Sequence, residues 1–288
     1  MPMNARLLRP IASGVHPEAA AWRSAVVANG GSVSASTMKA VSKFCSDIDA
    51  AGIRGRFLRL NLFAGTGLNA CLVPLYRGAS RTGTQLGNTT DTNTNFVSGD
   101  YVETGSSGGL TGNASNKRLR TGLAGSELSG FDVHVSAYER VGSTTTFDTS
   151  VGFFTNFGNP GVYIGTSDVT TKYECGFGNN AIQATSDPIA AHWIGVQSGN
   201  RTGGLYKNGA AASTTYVNPA NTQSDFSTVS YDFSIFATHD GGPSPTVFRN
   251  HSNARLGAYS IGLSLTAAQA ASFYTAMQTF QTALTRNV

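Results

Sequence analysis

From about residue 117 onward the chain repeatedly sets one apolar residue against one polar residue. Phe131, Val133, Val135 and Ala137 alternate with Asp132, His134, Ser136 and Tyr138. Tyr173, Cys175 and Phe177 alternate with Lys172, Glu174 and Gly176. Tyr231, Phe233 and Ile235 alternate with Asp232 and Ser234, and Tyr259, Ile261 and Leu263 with Ser260 and Gly262. Successive side chains of a strand point to opposite faces, so a period of two gives each strand one core face and one polar face. That pattern belongs to antiparallel sheets packed on a shared core, not to a helix-covered parallel sheet. Leu58, Leu60 and Leu62 show the same alternation earlier in the chain. Asn208-Gly209, directly after Leu205-Tyr206-Lys207, predicts a tight hairpin, since both residues tolerate positive φ. The 34 glycines, with Ser, Thr and Asn between the apolar runs, suit many short strands joined by turns. Only 12% of residues are charged, which excludes a highly charged disordered chain.

Both ends of the chain change period. Pro17 suits the first position of a helix predicted over 17–28, with Trp22, Ala25 and Val26 on one face. Met38, Val41, Cys45 and Ile48 recur at spacings of three, four and three, predicting a helix over 35–51 that stops at Gly52. Thr266 and Gln269 form a capping box ahead of Ala270, Phe273, Tyr274, Met277, Phe280 and Leu284, predicting a helix over 266–284. The expected organisation is an arm (1–16), a helical segment (17–56), a β-sandwich (57–265) and a closing helix (266–288) packed on the sandwich or on a neighbour. Residues 76–115 read as long loops between short strands. The arm combines apolar Leu7, Leu8 and Ile11 with Arg6 and Arg9, while Pro2 and Pro10 discourage regular structure. It is expected to dock on another subunit.

The charged and polar residues exclude several classes of function. The net charge of +4 is spread thinly, and its densest cluster is Lys117, Arg118 and Arg120. With Leu119 turned inward, these read as the solvent face of a strand and not as a nucleic-acid surface. Cys45, Cys71 and Cys175 form no C-x-x-C pair and read as buried free thiols. No signal peptide and no window of ~20 apolar residues is evident, which predicts a soluble protein made in a reducing compartment, with no membrane partner. Gly65-x-Gly67-x-x-Ala70 mimics a dinucleotide fingerprint, but Pro74 interrupts the required helix. Gly105-Ser106-Ser107-Gly108-Gly109 lies in a Ser/Gly loop and not on a nucleophile elbow. Asp91-x-Asn93-x-Asn95 begins like a calcium loop, yet Phe96 and Val102 stand where Gly and Glu are needed. The five histidines supply no H-x-x-x-H pair, so neither a metal nor a cofactor site is expected. Trp193 is a candidate sugar-stacking platform, although large aromatics more often bury. His239 and Asp240, in a Gly/Pro loop, are candidate ligand contacts and are otherwise expected at the surface.

Three stretches together resemble a known group. Leu58-Arg59-Leu60-Asn61-Leu62-Phe63-Ala64-Gly65 and Asn95-Phe96-Val97-Ser98-Gly99-Asp100-Tyr101 are similar to the front of such domains in tailed-phage and prophage structural proteins. Leu205-Tyr206-Lys207-Asn208-Gly209, then Leu256 to Gly262 and the capped helix, resemble the end of a concanavalin A-like, laminin-G-like jelly roll. The resemblance covers roughly residues 50–288. It implies a mainly β, two-sheet antiparallel jelly-roll sandwich with N-terminal helices and a C-terminal helix. It further implies a tail, fibre or head decoration protein of a virion, made in the host cytoplasm. Its partners would be other virion proteins and copies of itself, with host glycan as a further ligand. Laminin-G-like relatives often hold calcium, which keeps that ion as a candidate. The fold also includes glycoside hydrolases, which work with paired carboxylates. One branch carries them as E-x-D-x-x-E, and none of Glu18, Glu103, Glu127, Glu139 and Glu174 is followed two residues later by Asp. A non-catalytic protein is therefore expected.

Overall fold

The computed structural model describes residues 14–78, 90–128, 131–154, 161–166, 172–178, 180–185, 190–199, 202–217, 229–240 and 247–288. The arm expected over 1–16 lies outside the described residues except for its last three. Helices α1 (Pro17–Ala28) and α2 (Ala35–Ala50) open the fold. Strand β1 (Phe57–Asn61) and a short helix α3 (Leu68–Cys71) follow. Short strands come next: β2 (Thr92–Thr94), β3 (Tyr101–Val102) and β4 (Gly109–Thr111). Longer ones succeed them: β5 (Arg118–Ala124), β6 (Val133–Val141), β7 (Thr149–Phe154), β8 (Gly161–Thr166) and β9 (Tyr173–Gly178). Then come β10 (Asn180–Ala184), β11 (Ala191–Gly199), β12 (Thr202–Lys207), β13 (Ala210–Ala211) and β14 (Thr214–Val217). The chain ends with β15 (Asp232–Ile235), β16 (Thr238–Asp240), β17 (Val247–Arg249), β18 (Arg255–Gly262) and helix α4 (Ala267–Ala283).

The strands form a two-sheet antiparallel sandwich. The first sheet runs β13-β12-β11-β6-β18-β4-β3, with β1 also paired to β18. The second runs β14-β10-β9-β8-β7-β15-β5-β2, with β16 against β7 and β17 against β16. Among the described ladders, only β16 with β7 is parallel. The inward residues of both sheets, such as Leu119, Val135, Phe153, Ile164, Tyr173, Trp193, Phe233 and Tyr259, form one continuous core. Leu119 is fully buried, as the alternation in β5 requires.

A second core lies on the outer face of the first sheet. Tyr138, Ile194, Val196 and Ala258 project outward and meet Trp22, Phe44, Phe273, Met277 and Phe280 of the helices. All three long helices therefore cover that face. α1 and α2 begin where the sequence places them. His16 caps α1, and the Ser34 hydroxyl accepts from Thr37 N at 3.1 Å at the start of α2. The Thr266–Gln269 box closes on both sides at the start of α4. The hairpin between β12 and β13 turns at Asn208 (φ 51°) and Gly209 (φ 78°). A Cβ at Gly209 would lie 2.9 Å from Tyr274 Cβ, so glycine also lets α4 pack against this turn.

Candidate functional site

Most polar chemistry in the protein is turned inward and internally satisfied. Arg59, on β1, is fully buried and donates to Asp91 Oδ1 at 2.7 Å from Nη2. Tyr259 OH donates to the same oxygen at 2.7 Å, and Asn61 Nδ2 donates to Oδ2 at 2.8 Å. The start of the calcium-like Asp91-x-Asn93-x-Asn95 pattern is thus occupied by a guanidinium, and a cation there would face like charge. Asn93 instead caps its own turn, accepting from Phe96 N at 3.0 Å. Gly65 and Gly67 both have positive φ and lead into the single turn α3, so the fingerprint-like run is a tight turn.

Of the three residues singled out for glycan contact, Trp193 is buried, as large aromatics more often are, while His239 and Asp240 are not at the surface expected of them. Trp193 is fully buried between the sheets, its ring stacked on Tyr173 at 4.5 Å and 14°. It is a core aromatic, out of reach of a saccharide. His239 and Asp240 are 5% and 2% exposed, so they are not surface residues. Strand β16 carries them against β7 and β17, where side chains meet partners at once. His239 bonds Asp232 Oδ1 at 2.9 Å and stacks on Phe248 at 4.7 Å. Asp240 accepts from Arg249 Nε at 2.9 Å. Burial alone would raise the Asp232 carboxyl. Hydrogen bonds from His239 and Arg120 outweigh that and hold it below its ordinary value. Arg120 is therefore part of an ion pair, and Lys117 pairs with Asp100 at 2.5 Å. The cysteines are buried free thiols, and burial pushes Cys175 upward, away from reactivity.

The outer face of the second sheet is different, because among the described residues no long helix packs on it. At its middle lies Tyr163 of β8, half-buried, opposite Gly152 of β7 and Gly176 of β9. A Cβ at Gly176 would fall 2.0 Å from Tyr163 Cε1, so the ring lies flat across β9 in space only glycine leaves. Phe154, also half-buried, packs beside it with ring centroids 5.1 Å apart. The Tyr163 phenol donates to Glu174 Oε1 at 2.8 Å, and Gln183 Nε2 donates to Glu174 Oε2 at 2.9 Å. Phe154 is also the register partner of Asp240, so the aromatic pair adjoins the Asp240–Arg249 ion pair. Strands β7 to β10 thereby build one platform: two rings, a carboxylate and an amide over a glycine floor. Sequence reasoning missed it, although Gly161-Val162-Tyr163-Ile164-Gly165 places one aromatic between two glycines on the polar face.

One group has ligand-type atoms for a metal. Atoms of His16, Glu18 and Cys45 lie within 4.8 Å of one another at the junction of α1 and α2. Each is already committed. His16 Nε2 lies 2.9 Å from Asp49 Oδ2, and its Nδ1 accepts from Glu18 N at 3.2 Å. Arg54 Nε donates to Glu18 Oε1 at 2.7 Å, and the Cys45 thiol is fully buried in the helix core. A metal would have to displace these bonds beside the positive Arg54, so the donor set does not fit one.

No family model matches this chain, and no curated protein matches it. Solved structures with a similar layout include domain 4 of a GH43 extracellular arabinanase from Geobacillus stearothermophilus, in complex with arabinotriose. It is 18% identical, covering 55% of this chain and 72% of that one, at a TM-score of 0.36. A Trypanosoma rangeli sialidase mutant is 10% identical over 84% of this chain and 39% of its own, at 0.46. The ligand-binding domain of botulinum neurotoxin serotype D, with N-acetylneuraminic acid, is 9% identical over 78% and 52%, at 0.37. The chain thus spans about two fifths of the sialidase and half of the toxin chain.

Proposed function

We propose that this chain is a non-catalytic carbohydrate-binding sandwich of a virion, holding host-surface polysaccharide on the outer face of its second sheet. The observation that carries this reading is the Tyr163–Phe154 pair lying over Gly176 beside Glu174 and Gln183. A pyranose lays its C–H face on an aromatic ring, and its hydroxyls need donors and acceptors at the ring's edge. Glu174 is buried and bonded through both oxygens, so it fixes the Tyr163 phenol and the Gln183 amide at that edge. Hydrolysis would need a second carboxyl poised as acid or base. The neighbouring Asp232 and Asp240 are held by Arg120 and Arg249. The virion setting rests on the sequence resemblance.

The test is a glycan array probed with the multivalently displayed protein, followed by the same array with Tyr163→Ala and Glu174→Gln. Binding should fall at least about tenfold in each variant, the share of one stacked ring or of the carboxylate that holds it in place. Incubation with the bound polysaccharide should release no reducing ends. Undiminished binding by Y163A moves the site elsewhere, and release of reducing ends makes the protein an enzyme.

A second reading, assembly with neighbouring virion proteins, is favoured by a groove of about 640 Å³ along α1 and α2. Val15, Val33 and Met38 give it an apolar floor, and Arg23, Lys39 and Lys43 ring it with positive charge. Gly14, where the described chain begins, lines the same groove.

A further inference from the structure

Two guanidiniums meet on one carbonyl oxygen at the rim of the first sheet. In the β6–β18 ladder Val141 lies opposite Arg255, and Glu139 lies opposite Leu256. Arg140 is the extra residue of this bulge, and a bulge re-aims the side chain it carries. Arg140 thereby reaches the same loop as Arg255. Its Nη2 donates to Ser106 O at 3.3 Å, and Arg255 Nη1 donates to that oxygen at 3.4 Å. Arg140 Nη1 also donates to Gly105 O and Gly108 O, both at 3.2 Å. Arg255 Nε donates to Thr111 Oγ1 at 3.2 Å. Both side chains are half-exposed, and among the described residues neither forms a salt bridge. The nearest carboxylates along the chain are committed elsewhere. Glu103 accepts from Thr37 Oγ1 and Gly65 N, and Glu139 from Ser150 and Tyr173 inside the sandwich. The loop itself is the Gly105-Ser106-Ser107-Gly108 run, a turn closed by Gly108 N donating to Gly105 O at 2.9 Å, with Gly105 at φ 81°. Ser106 and Ser107 are exposed at its tip, and among the described residues their N–H and hydroxyl groups have no acceptor.

One neutral donor would satisfy the Ser106 carbonyl, whereas two permanent positive charges on it repel each other. A guanidinium carries five N–H donors. Arg140 uses three of its own on the loop, and Arg255 uses two. The remaining donors and the two serines are free for an acceptor. An anion against both guanidiniums removes the repulsion and takes charge-assisted bonds from each. Two cations match a dianion, where a carboxylate would match only one. A tetrahedral oxyanion also has enough oxygens to engage both forks at once. We propose that Arg140, Arg255 and the Ser106–Ser107 turn form a binding site for a dianionic tetrahedral group, sulfate or phosphate, as the free ion or as an ester. The site stands on the first sheet and is independent of the aromatic platform on the second.

The experiment titrates the full chain with sodium sulfate against sodium chloride at constant ionic strength and follows the melting temperature. A bound ion gives a rise whose midpoint reports its affinity. The general stabilising effect of sulfate grows steadily instead and is common to every variant. The wild type should show a clear midpoint with sulfate and with inorganic phosphate, and none with acetate. Glucose 6-phosphate separates the sources: a lower midpoint than inorganic phosphate marks an ester as the ligand, a higher one the free ion, and either supports the site. Arg255→Gln leaves Arg140 to hold Gly105, Ser106 and Gly108, so the loop should stay in place. It should weaken sulfate at least about tenfold, and Arg140→Gln should do the same. A wild type without a midpoint overturns the site, as does an R255Q protein with the wild-type midpoint. Variants that only melt lower, with the sulfate midpoint unchanged, show arginines that merely brace the loop, and overturn it too.

Discussion

Replacing Arg286 should destabilise the whole protein, because one buried guanidinium ties the end of α4 to three other segments. The side chain is fully buried. Nη2 donates to Leu62 O at 2.5 Å and Gly257 O at 3.0 Å, and Nη1 to Phe63 O at 2.7 Å and Glu103 O at 3.1 Å. Nε donates to Gln281 Oε1 at 2.6 Å. In Arg286→Met, Phe63 O keeps the Tyr101 phenol and Gly257 O keeps Gln281 Nε2. Leu62 O, Glu103 O and the Gln281 amide oxygen lose the bonds that Arg286 makes. At about 1–3 kcal/mol for each of these three buried acceptors left unmet, the gross loss is about 3–9 kcal/mol. Relief of the buried cation's desolvation, itself several kcal/mol, offsets part of this. A net loss of about 3 kcal/mol follows. Urea unfolding followed by tryptophan fluorescence is the assay. Trp22 reports the helix core and Trp193 the sandwich core. Both should shift to lower urea together. A change in stability under about 0.5 kcal/mol would show that charge burial and hydrogen bonding cancel at this site, and the reasoning would fail.

Removing residues 2–14 should leave thermal stability nearly unchanged while abolishing oligomerisation or incorporation into particles. Normal incorporation would take the arm and the groove beside Gly14 out of the assembly reading. Stability should also fall in acid through two buried histidines. Burial lowers His192 to about 3 and His134 to about 4, both below the ordinary value of 6.5. The unfolded chain therefore binds more protons between pH 6.5 and about 3, so this stabilisation is complete above pH 6.5 and is lost as pH falls through that window, down to about 4 for His134 and about 3 for His192. Among the described residues neither ring nitrogen of His192 has a hydrogen-bond partner, and Phe273 packs on the ring at 4.8 Å. His192→Phe should match wild type near pH 7 and lose less stability by pH 5. Parallel melting curves for the two proteins over pH 5–7 would refute this.

What the sequence shows about this fold is what depends on neighbours along the chain. The alternation in β5, β6, β9, β15 and β18 needs only one strand to declare which residues face inward. The Thr266–Gln269 box and the Asn208-Gly209 turn are equally local, and each stands where its residues place it. The polar centres are not local. Asp91 meets Arg59 across 32 residues and Tyr259 across 168. No spacing rule marks such a trio, so Asp91 reads as a loop residue until β1 and β18 are paired. His239 and Asp240 fail for a related reason: a Gly/Pro-rich surrounding signals a turn, but a turn laid against β7 is buried by its neighbours. The platform needs two facts at once: Tyr163 on the polar face of β8, and glycine opposite it on both β7 and β9. The first is written in the alternation of Val162, Tyr163 and Ile164. The second depends on register, because a slip of one residue would set Cys175 in place of Gly176 under the ring and leave it nowhere to lie. Glycine on the polar face of neighbouring strands is the trace such a site leaves in a sequence, and it acquires meaning only once the strand order is known.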